Sequence, residues 1–281
     1  VNGIEIYRPF LVRSGQQEGL SFVNTDMVNS ILFSAGGFDA KYGDKMSSVL
    51  DITYKKPKKN KASLKLSLLG GSTHFEGLNQ NKRFSYLIGA RHKTSKYLLN
   101  SLDTDAEYTP SFSDLQTYLN YKIDTDWTIS FLGNISNNKY KMIPKNRDTD
   151  FGTVNEALKL TIYFEGQEID KYETYFGALS TLFKPNLNLQ LQFTTSGFRT
   201  FEEESFDIIG EYWLYQLENN LGSDEFGDIA FDRGVGKYIN HARNSLNATV
   251  INFSHSGYYI KENLQFEWGA RLQKEEIEDK I

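Results

Sequence analysis

The stretch that decides the fold runs from Leu115 to Ser136 and reads LQTYLNYKIDTDWTISFLGNIS. Apolar side chains at 115, 119, 121 and 123 alternate with polar ones, and the alternation resumes between Trp127 and Ile135. Because successive side chains of a β-strand point to opposite faces, this pattern predicts two strands, each with one apolar and one polar face. The three residues between them, Asp124-Thr125-Asp126, predict a tight antiparallel turn.

The same alternation recurs along most of the chain after residue 61. It is clear in the rows 64–68, 84–90, 187–193 and 264–272, whereas the rows near 174–183 and 244–258 are mixed. Together the rows predict nine strands, at about 62–69, 73–78, 83–92, 114–123, 127–136, 174–183, 187–199, 244–258 and 264–274.

The connections between these strands alternate between short and long. Tight turns follow residues 123, 183 and 260, whereas long loops are predicted over 93–112, 137–173 and 201–243. Compact soluble domains rarely carry several such loops, but transmembrane barrels combine short turns on one side with long loops on the other. The strand pattern alone fits a β-sandwich equally well, so it is the loop asymmetry that favours a barrel whose apolar rows face lipid.

Composition excludes several classes of protein. The chain has 281 residues, 39% of them apolar and 14% aromatic, and no run of about 18 apolar residues that a spanning helix needs. A helical membrane protein is therefore excluded, and the aromatic content argues against disorder. The net charge of -5 gives no basic footprint for nucleic acid, and zero cysteines exclude disulfides and thiolate metal sites.

We find no motif for catalysis or metal binding in the sequence. The four histidines have no metal-ligand spacing, and no G-x-S-x-G nucleophile motif occurs. Glu202-Glu203-Glu204 with Asp207 are candidate calcium ligands, but a solvated loop is the simpler interpretation because no EF-hand register is present. We therefore expect no catalytic residue, no metal and no cofactor, and a function in binding and transport.

The chain divides into three segments. Residues 1–54 contain short strand-like pieces broken by glycines and polar turns, and the lysine-rich stretch 55–61 follows them. We interpret 55–61 as a solvated linker, with a patch for an acidic partner as the alternative. Residues 62–281 carry the nine strands. Because bacterial barrels have an even number of strands, the odd count and the abrupt end predict that this sequence is part of a larger barrel.

Val28–Ile52, VNSILFSAGGFDAKYGDKMSSVLDI, resembles the end of the plug domain of TonB-dependent outer-membrane receptors. That family has a strand, a Gly-Gly turn, an Ala-x-Tyr-Gly piece and then Ser-Ser-Val-Leu-Asp-Ile; Asp39 stands where relatives often carry proline. Val1–Ile4 resembles an earlier plug strand. The resemblance implies a mostly β fold, a fragment of a large antiparallel transmembrane β-barrel with about nine strands present. It further implies that 1–54 is the C-terminal part of a small α+β plug, 55–61 a periplasmic linker, and 62–281 the first part of the barrel.

The resemblance also implies a function and a location. It implies an outer-membrane receptor of a Gram-negative bacterium, which takes up a siderophore, cobalamin, oligosaccharide or peptide by TonB-energised transport. TonB would bind a segment before the plug that is absent here, outer-membrane lipid would surround the barrel, and a surface lipoprotein is left open as a partner. Nucleic acid is not expected as a partner. Two alternatives stay open: a passive porin-like barrel and a soluble β-sandwich carbohydrate-binding module.

The family places its ligand between the plug apices and the extracellular loops, which gives two sets of candidate contacts. Arg8, Arg13 and Gln16 lie in the segment 7–21; if it is apical, the arginines can hold an anionic ligand by paired hydrogen bonds. The alternative is a salt bridge to the lumen wall. The second set offers a stacking surface for sugars or ring-containing ligands, the alternative being that it packs a long loop onto its neighbours; it consists of Tyr212, Trp213 and Tyr215.

Overall fold

The computed structural model describes residues 1–8, 20–43, 45–102, 104–153 and 155–281. In these ranges the protein is mostly β, with one two-stranded sheet and one antiparallel sheet of 11 strands. A search of the same ranges finds no helix with the length and apolar content needed to cross a membrane.

The small sheet belongs to the N-terminal segment. A 3-10 turn at Thr25–Met27 leads into β1 (Val28–Ala35), which pairs antiparallel with β2 (Ser48–Tyr54). The chain leaves β1 through Gly36 and Gly37, whose φ angles are 71° and 57°. Glycine adopts this left-handed region without the steric cost that a Cβ would bring, so the Gly-Gly pair of the plug-like motif forms the bend after the strand.

The large sheet is formed by β3 (Lys61–Ser67), β4 (Gly70–Leu78), β5 (Phe84–Lys93), β6 (Ala106–Tyr108), β7 (Ser111–Lys122), β8 (Trp127–Pro144), β9 (Arg147–Thr153), β10 (Glu156–Phe183), β11 (Leu189–Leu217), β12 (Ile229–Lys261) and β13 (Leu264–Lys280). Nine of them follow one another in the order β3-β4-β5-β7-β8-β10-β11-β12-β13, while β6 pairs with β8 and β9 with β10. This path has the nine strands that the alternation predicts. Within the described ranges β3 and β13 do not pair with each other, so the sheet is open.

The predicted long loops are wrong over most of their length. Residues 137–144, 156–173, 201–217 and 229–243 extend the neighbouring strands, and residues 147–153 form β9. As a result, β11 has 29 residues and β12 has 33. The third segment, 93–112, contains α1 (Lys96–Asn100) and β6. The asymmetry nevertheless remains: the connections 79–83, 123–126, 184–188 and 262–263 lie at one end of the sheet, here called the turn end. The long hairpins project from the opposite end, here called the hairpin end.

The two faces of the large sheet differ in chemistry and in exposure. We call the face that the N-terminal segment covers the inner face. Many of its polar side chains are buried, namely His74, Glu76, Asp114, Gln116, Asn134, Ser136, Asn138, Thr174, Ser180, Thr194, Ser196, Thr200 and Asn252. The outer face is apolar and exposed, and includes Phe75, Leu115, Tyr121, Trp127, Phe131, Ile135, Tyr175, Leu179, Phe193, Ile251, Phe253, Phe266 and Leu272. This is the reverse of the distribution that water favours.

The core of the protein lies between the N-terminal segment and the inner face. It joins apolar residues of both parts: Val1, Ile4, Phe22, Met27, Ile52 and Tyr54 meet Leu87, Tyr118, Leu132, Phe176, Ala178, Phe198 and Val250. The Phe22 and Phe176 rings meet edge to face with centroids 5.6 Å apart. The N-terminal segment therefore removes a cluster of apolar side chains of the inner face from water.

Candidate functional site

The candidate site lies where the N-terminal segment meets the hairpin end of the inner face. Arg8 and Leu20 flank residues 9–19, which lie outside the described ranges. The Arg8 guanidinium stands over the Tyr172 ring, 5.3 Å from its centroid, and Leu20 packs against Phe112 and Tyr172. Tyr172 lies 11 residues before Phe183, where β10 ends at the turn end of the sheet. Arg8 and Leu20 therefore contact the sheet on the side of the long hairpins.

Of the first predicted set, the structure describes only Arg8; Arg13 and Gln16 lie outside the described residues. Arg8 forms an ion pair with Glu202 of β11, and the two side chains are 22% and 13% exposed. This is the salt bridge to the sheet wall that the sequence leaves open as the alternative. An anionic ligand at Arg8 has to compete with the Glu202 carboxylate for the guanidinium.

Next to Arg8, aromatic and polar groups converge on the inner face. The Tyr172 hydroxyl donates a hydrogen bond of 3.1 Å to Glu204 Oε1. Asn138 lies opposite both Tyr172 and Phe112 in the sheet register. Its side chain is buried, and neither of its amide atoms has a hydrogen-bond partner among the described residues. Rings with carboxylate and amide groups suit a ligand that carries hydroxyl or amide groups.

Strand alternation separates the acidic residues that are candidate calcium ligands. Glu202 and Glu204 point to the inner face, whereas Glu203 and Asp207 point to the outer one. Glu203 pairs with Lys171 at 3.1 Å, and Asp207 pairs with basic side chains of β12. A search of the described part of the chain finds no group of three or more potential ligands that could hold a metal ion.

The sequence predicts that the second set, Tyr212, Trp213 and Tyr215, lies in a long loop. This prediction is wrong, because all three aromatic residues lie in β11. Tyr212 points to the inner side, where its ring covers Gly236 of β12. Trp213 and Tyr215 point to the outer side and stack on each other, with centroids 6.4 Å apart and planes at 11°. The strand period of two therefore divides the set, and no single ligand can stack on all three.

A buried ion pair that the sequence does not reveal attaches the N-terminal segment to the sheet. Arg91 Nε and Nη2 donate to the two carboxylate oxygens of Asp114 at 2.8 and 2.5 Å. The same guanidinium donates to the carbonyl oxygens of Val23 at 2.9 Å and Ser21 at 2.8 Å. The Asp114 side chain has 0% exposure and that of Arg91 has 12%. This two-pronged, charge-assisted geometry is the strong form of the Arg–carboxylate interaction.

A second attachment joins β2 to β7. The Tyr54 hydroxyl donates a 2.5 Å hydrogen bond to Gln116 Oε1, and Gln116 Nε2 donates to the Phe22 carbonyl at 3.1 Å. Burial raises the pKa of the Tyr54 hydroxyl well above its ordinary value, so the hydroxyl stays protonated and remains a donor. Gln116 thus binds two parts of the N-terminal segment at once.

A third attachment reaches the last strand. Glu5 forms ion pairs with Lys45 and with Arg271 of β13. Burial alone would raise the pKa of Glu5, but hydrogen bonds and charges from Lys45 and Arg271 lower it overall. Tyr7 donates to Gln273 Oε1 at 3.0 Å. The segment is therefore attached to the sheet from β5 to β13.

Comparison with models of known protein families and with curated proteins finds no match. The function of this chain is therefore inferred from its own geometry. Three features matter most: the reversed faces of the sheet, the segment that covers the polar face, and the mixed polar and aromatic surroundings of Tyr172.

Proposed function

We propose that this chain is part of an outer-membrane receptor of a Gram-negative bacterium for TonB-energised uptake of a scarce nutrient. The observation that carries the proposal is the reversal of the two faces, with exposed apolar rows outside and buried polar rows inside. A soluble β-sandwich would bury its apolar rows against a second sheet, whereas lipid around a barrel favours apolar rows on the outside.

The height of the apolar outer band supports this proposal. In β8 the outer positions are apolar from Trp127 to Ile135, and Asn137 and Lys139 follow. Nine residues extend for about 27 Å along a strand, or about 20 Å at the usual tilt of barrel strands, which is close to the apolar band of outer-membrane barrels.

Neighbouring strands end the band at matching levels. At the turn end, Trp127 lies opposite Phe183 in the register, and their rings are 4.6 Å apart. At the other border, Ile135 lies opposite Tyr175, beyond which Glu173 is the next outward position. Aromatic residues at both borders of an apolar band are typical of the girdles at the two membrane interfaces.

The N-terminal segment covers the inner face of the sheet, which favours a plugged channel rather than an open passive pore. In this proposal residues 1–54 are the C-terminal part of the plug, 55–61 the periplasmic linker and 62–281 the first part of the barrel. The plug–wall contacts include many hydrogen bonds and ion pairs, such as Arg91 with Asp114. Hydrogen bonds to a polar wall can be exchanged for hydrogen bonds to water at a small net cost, which suits a stopper that must move.

The proposed function requires a closed barrel and a place for the nutrient to bind. Unpaired strand edges are prohibitively costly in lipid, so additional strands must pair with β3 and β13 to close the barrel. The nutrient, which can be a siderophore, cobalamin, oligosaccharide or peptide, would bind near Tyr172, between the plug and the long hairpins. The role is transport and not catalysis, with TonB as the energising partner and a surface lipoprotein as an open further partner.

The test is uptake by the source bacterium with and without the gene and with and without TonB. We expect accumulation of one ligand class from a panel of ferric siderophores, cobalamin, oligosaccharides and peptides to require both proteins. Uptake that needs this protein but not TonB would indicate the passive pore. Release of the full-length protein from membranes by alkali without detergent would refute the membrane location.

A further inference from the structure

The linker carries a dense positive charge at the turn end of the sheet. Its lysines, here called the basic cluster, occupy five of the seven positions 55–61: Lys55, Lys56, Lys58, Lys59 and Lys61. Lys61 begins β3 opposite Glu76, two residues before β4 ends at Leu78 and the 79–83 turn begins. The basic cluster therefore lies beside the tight turns and far from the long hairpins.

Only part of this charge is satisfied inside the protein. Lys61 pairs with Glu76 at 3.3 Å, and Lys55 Nζ donates to the Asp26 carbonyl at 2.6 Å. Lys56, Lys58 and Lys59 are exposed and have no ion pair with any described residue. They line a surface groove with Asn29 and Glu76. Three ammonium groups are thus available to an external anion.

The surroundings of the basic cluster indicate which anion it meets. The same end carries more cations than anions on its turns and strand ends, with Lys82, Arg83, Lys122, Lys184 and Lys261 against Asp124, Asp126 and Glu262. The aromatic border of the apolar band lies at this level, with Tyr86, Tyr121 and Trp127 on the outer face. Basic residues next to an aromatic border stand at the depth of lipid phosphates.

We propose that the basic cluster binds the phosphate groups of anionic phospholipids in the leaflet at the turn end. This inference rests on the proposed function, because it requires the apolar band to lie in a bilayer. Lysine suits the role because its long, flexible stem lets the ammonium group reach headgroups beside the turn end of the sheet. The linker then anchors the join between plug and barrel at the membrane surface.

The experiment measures lipid preference next to the linker. Ala62 is an exposed outer-face residue that follows Lys61 directly, and this chain has no native cysteine. Full-length protein with a fluorophore on Ala62→Cys is reconstituted in phosphatidylcholine bilayers that contain brominated phosphatidylglycerol or brominated phosphatidylcholine as quencher. We expect stronger quenching by phosphatidylglycerol, and a loss of at least tenfold in this preference when Lys56, Lys58 and Lys59 are all changed to Gln, since each such lysine contributes about fivefold.

Two variants serve as controls. Changing Lys145, Lys159 and Lys237 to Gln alters the net charge equally but at the far ends of the long hairpins, and should leave the preference unchanged. Changing the three linker lysines to Arg keeps the charge and should keep the preference. Added sodium chloride should weaken it in the unaltered protein, because screening acts on exposed charges.

The outcomes separate this inference from the proposed function. Quenching by phosphatidylcholine without any preference for phosphatidylglycerol, or an equal preference in the Gln variant, would overturn the lipid site alone and leave a solvated linker or a protein partner. Competition by soluble glycerol phosphate would also overturn it, in favour of a free-anion site. If neither brominated lipid quenches the label, the membrane proposal and this inference both fail.

Discussion

The sharpest test of the attachment between the N-terminal segment and the large sheet is to remove the Asp114 carboxylate. In Asp114→Ala the Arg91 guanidinium loses both bonds to the carboxylate but keeps its bonds to the carbonyl oxygens of Ser21 and Val23. The charge then stays in a site where only 12% of the Arg91 side chain is exposed, with no carboxylate beside it.

The magnitude follows from what remains around Arg91. Removing one partner of a buried ion pair usually costs about 3–5 kcal/mol. Two carbonyl acceptors remain here, and the guanidinium has some access to solvent, so we expect about 2–3 kcal/mol. This loss should be local to residues 20–27, because Arg91 holds the backbone of that stretch against β5.

The assay is backbone hydrogen exchange of the full-length protein in detergent micelles, read by mass spectrometry. Since every 1.4 kcal/mol is a factor of ten, the amides of residues 20–27 should exchange about 30- to 140-fold faster in Asp114→Ala. Glu203→Ala breaks an exposed pair with Lys171 and should change exchange by less than a factor of three. Equal protection of residues 20–27 in Asp114→Ala and in the unaltered protein would refute the assigned role of the pair.

Three further changes test other parts of the structure. Gly257→Val places a side chain into the Trp268 ring and should lower the free energy of unfolding by about 1–3 kcal/mol, whereas Gly197→Val, which meets open space, should have little effect on the thermal midpoint. Because the pKa of Glu5 is lowered from 4.5 in the folded protein, its contribution to stability is complete above pH 4.5 and disappears as the pH falls through the folded value; exchange of residues 1–8 should report this loss, and Glu5→Gln should abolish it. Phe131→Lys places a charge in the middle of the outer band and should lower the free energy of unfolding in lipid vesicles by about 2–4 kcal/mol; an unchanged folding yield in a urea titration would contradict a lipid-facing position.

Much of the fold could be predicted from the sequence because the period of a strand is a local property. Leu115 and Ile135 are apolar alternating positions in the sequence, and they lie opposite each other on the outer face. The extension of β11 beyond residue 199 could not be predicted in the same way. Three successive glutamates at 202–204 break the apolar alternation, and their strand conformation depends on pairing with β12. That pairing is not encoded locally.

The candidate site was less predictable for a related reason. The sequence picks out Arg8 as a cation in a connecting segment, but its partner Glu202 is 194 positions away and on another strand. Asp114 and Gln116 read as ordinary polar positions of an alternating strand. Their importance arises only when the register places Arg91 opposite Asp114 and when β2 brings Tyr54 to Gln116.

Two kinds of interaction join the N-terminal segment to the sheet: contacts between apolar side chains, and hydrogen bonds and ion pairs between polar ones. The apolar cluster around Phe22, Met27 and Ile52 favours one position of the segment on a largely polar face, because these side chains are buried there against apolar partners. The surrounding polar contacts, such as Tyr54 with Gln116, fix its orientation, and in the proposed receptor they would be exchanged for hydrogen bonds to water when the segment moves. A wall made entirely of apolar residues would hold the segment too firmly to release it, and an entirely polar wall would not position it. The mixture of apolar and polar side chains on the inner face therefore suits the proposed function, in which the segment would have to both close and open the channel.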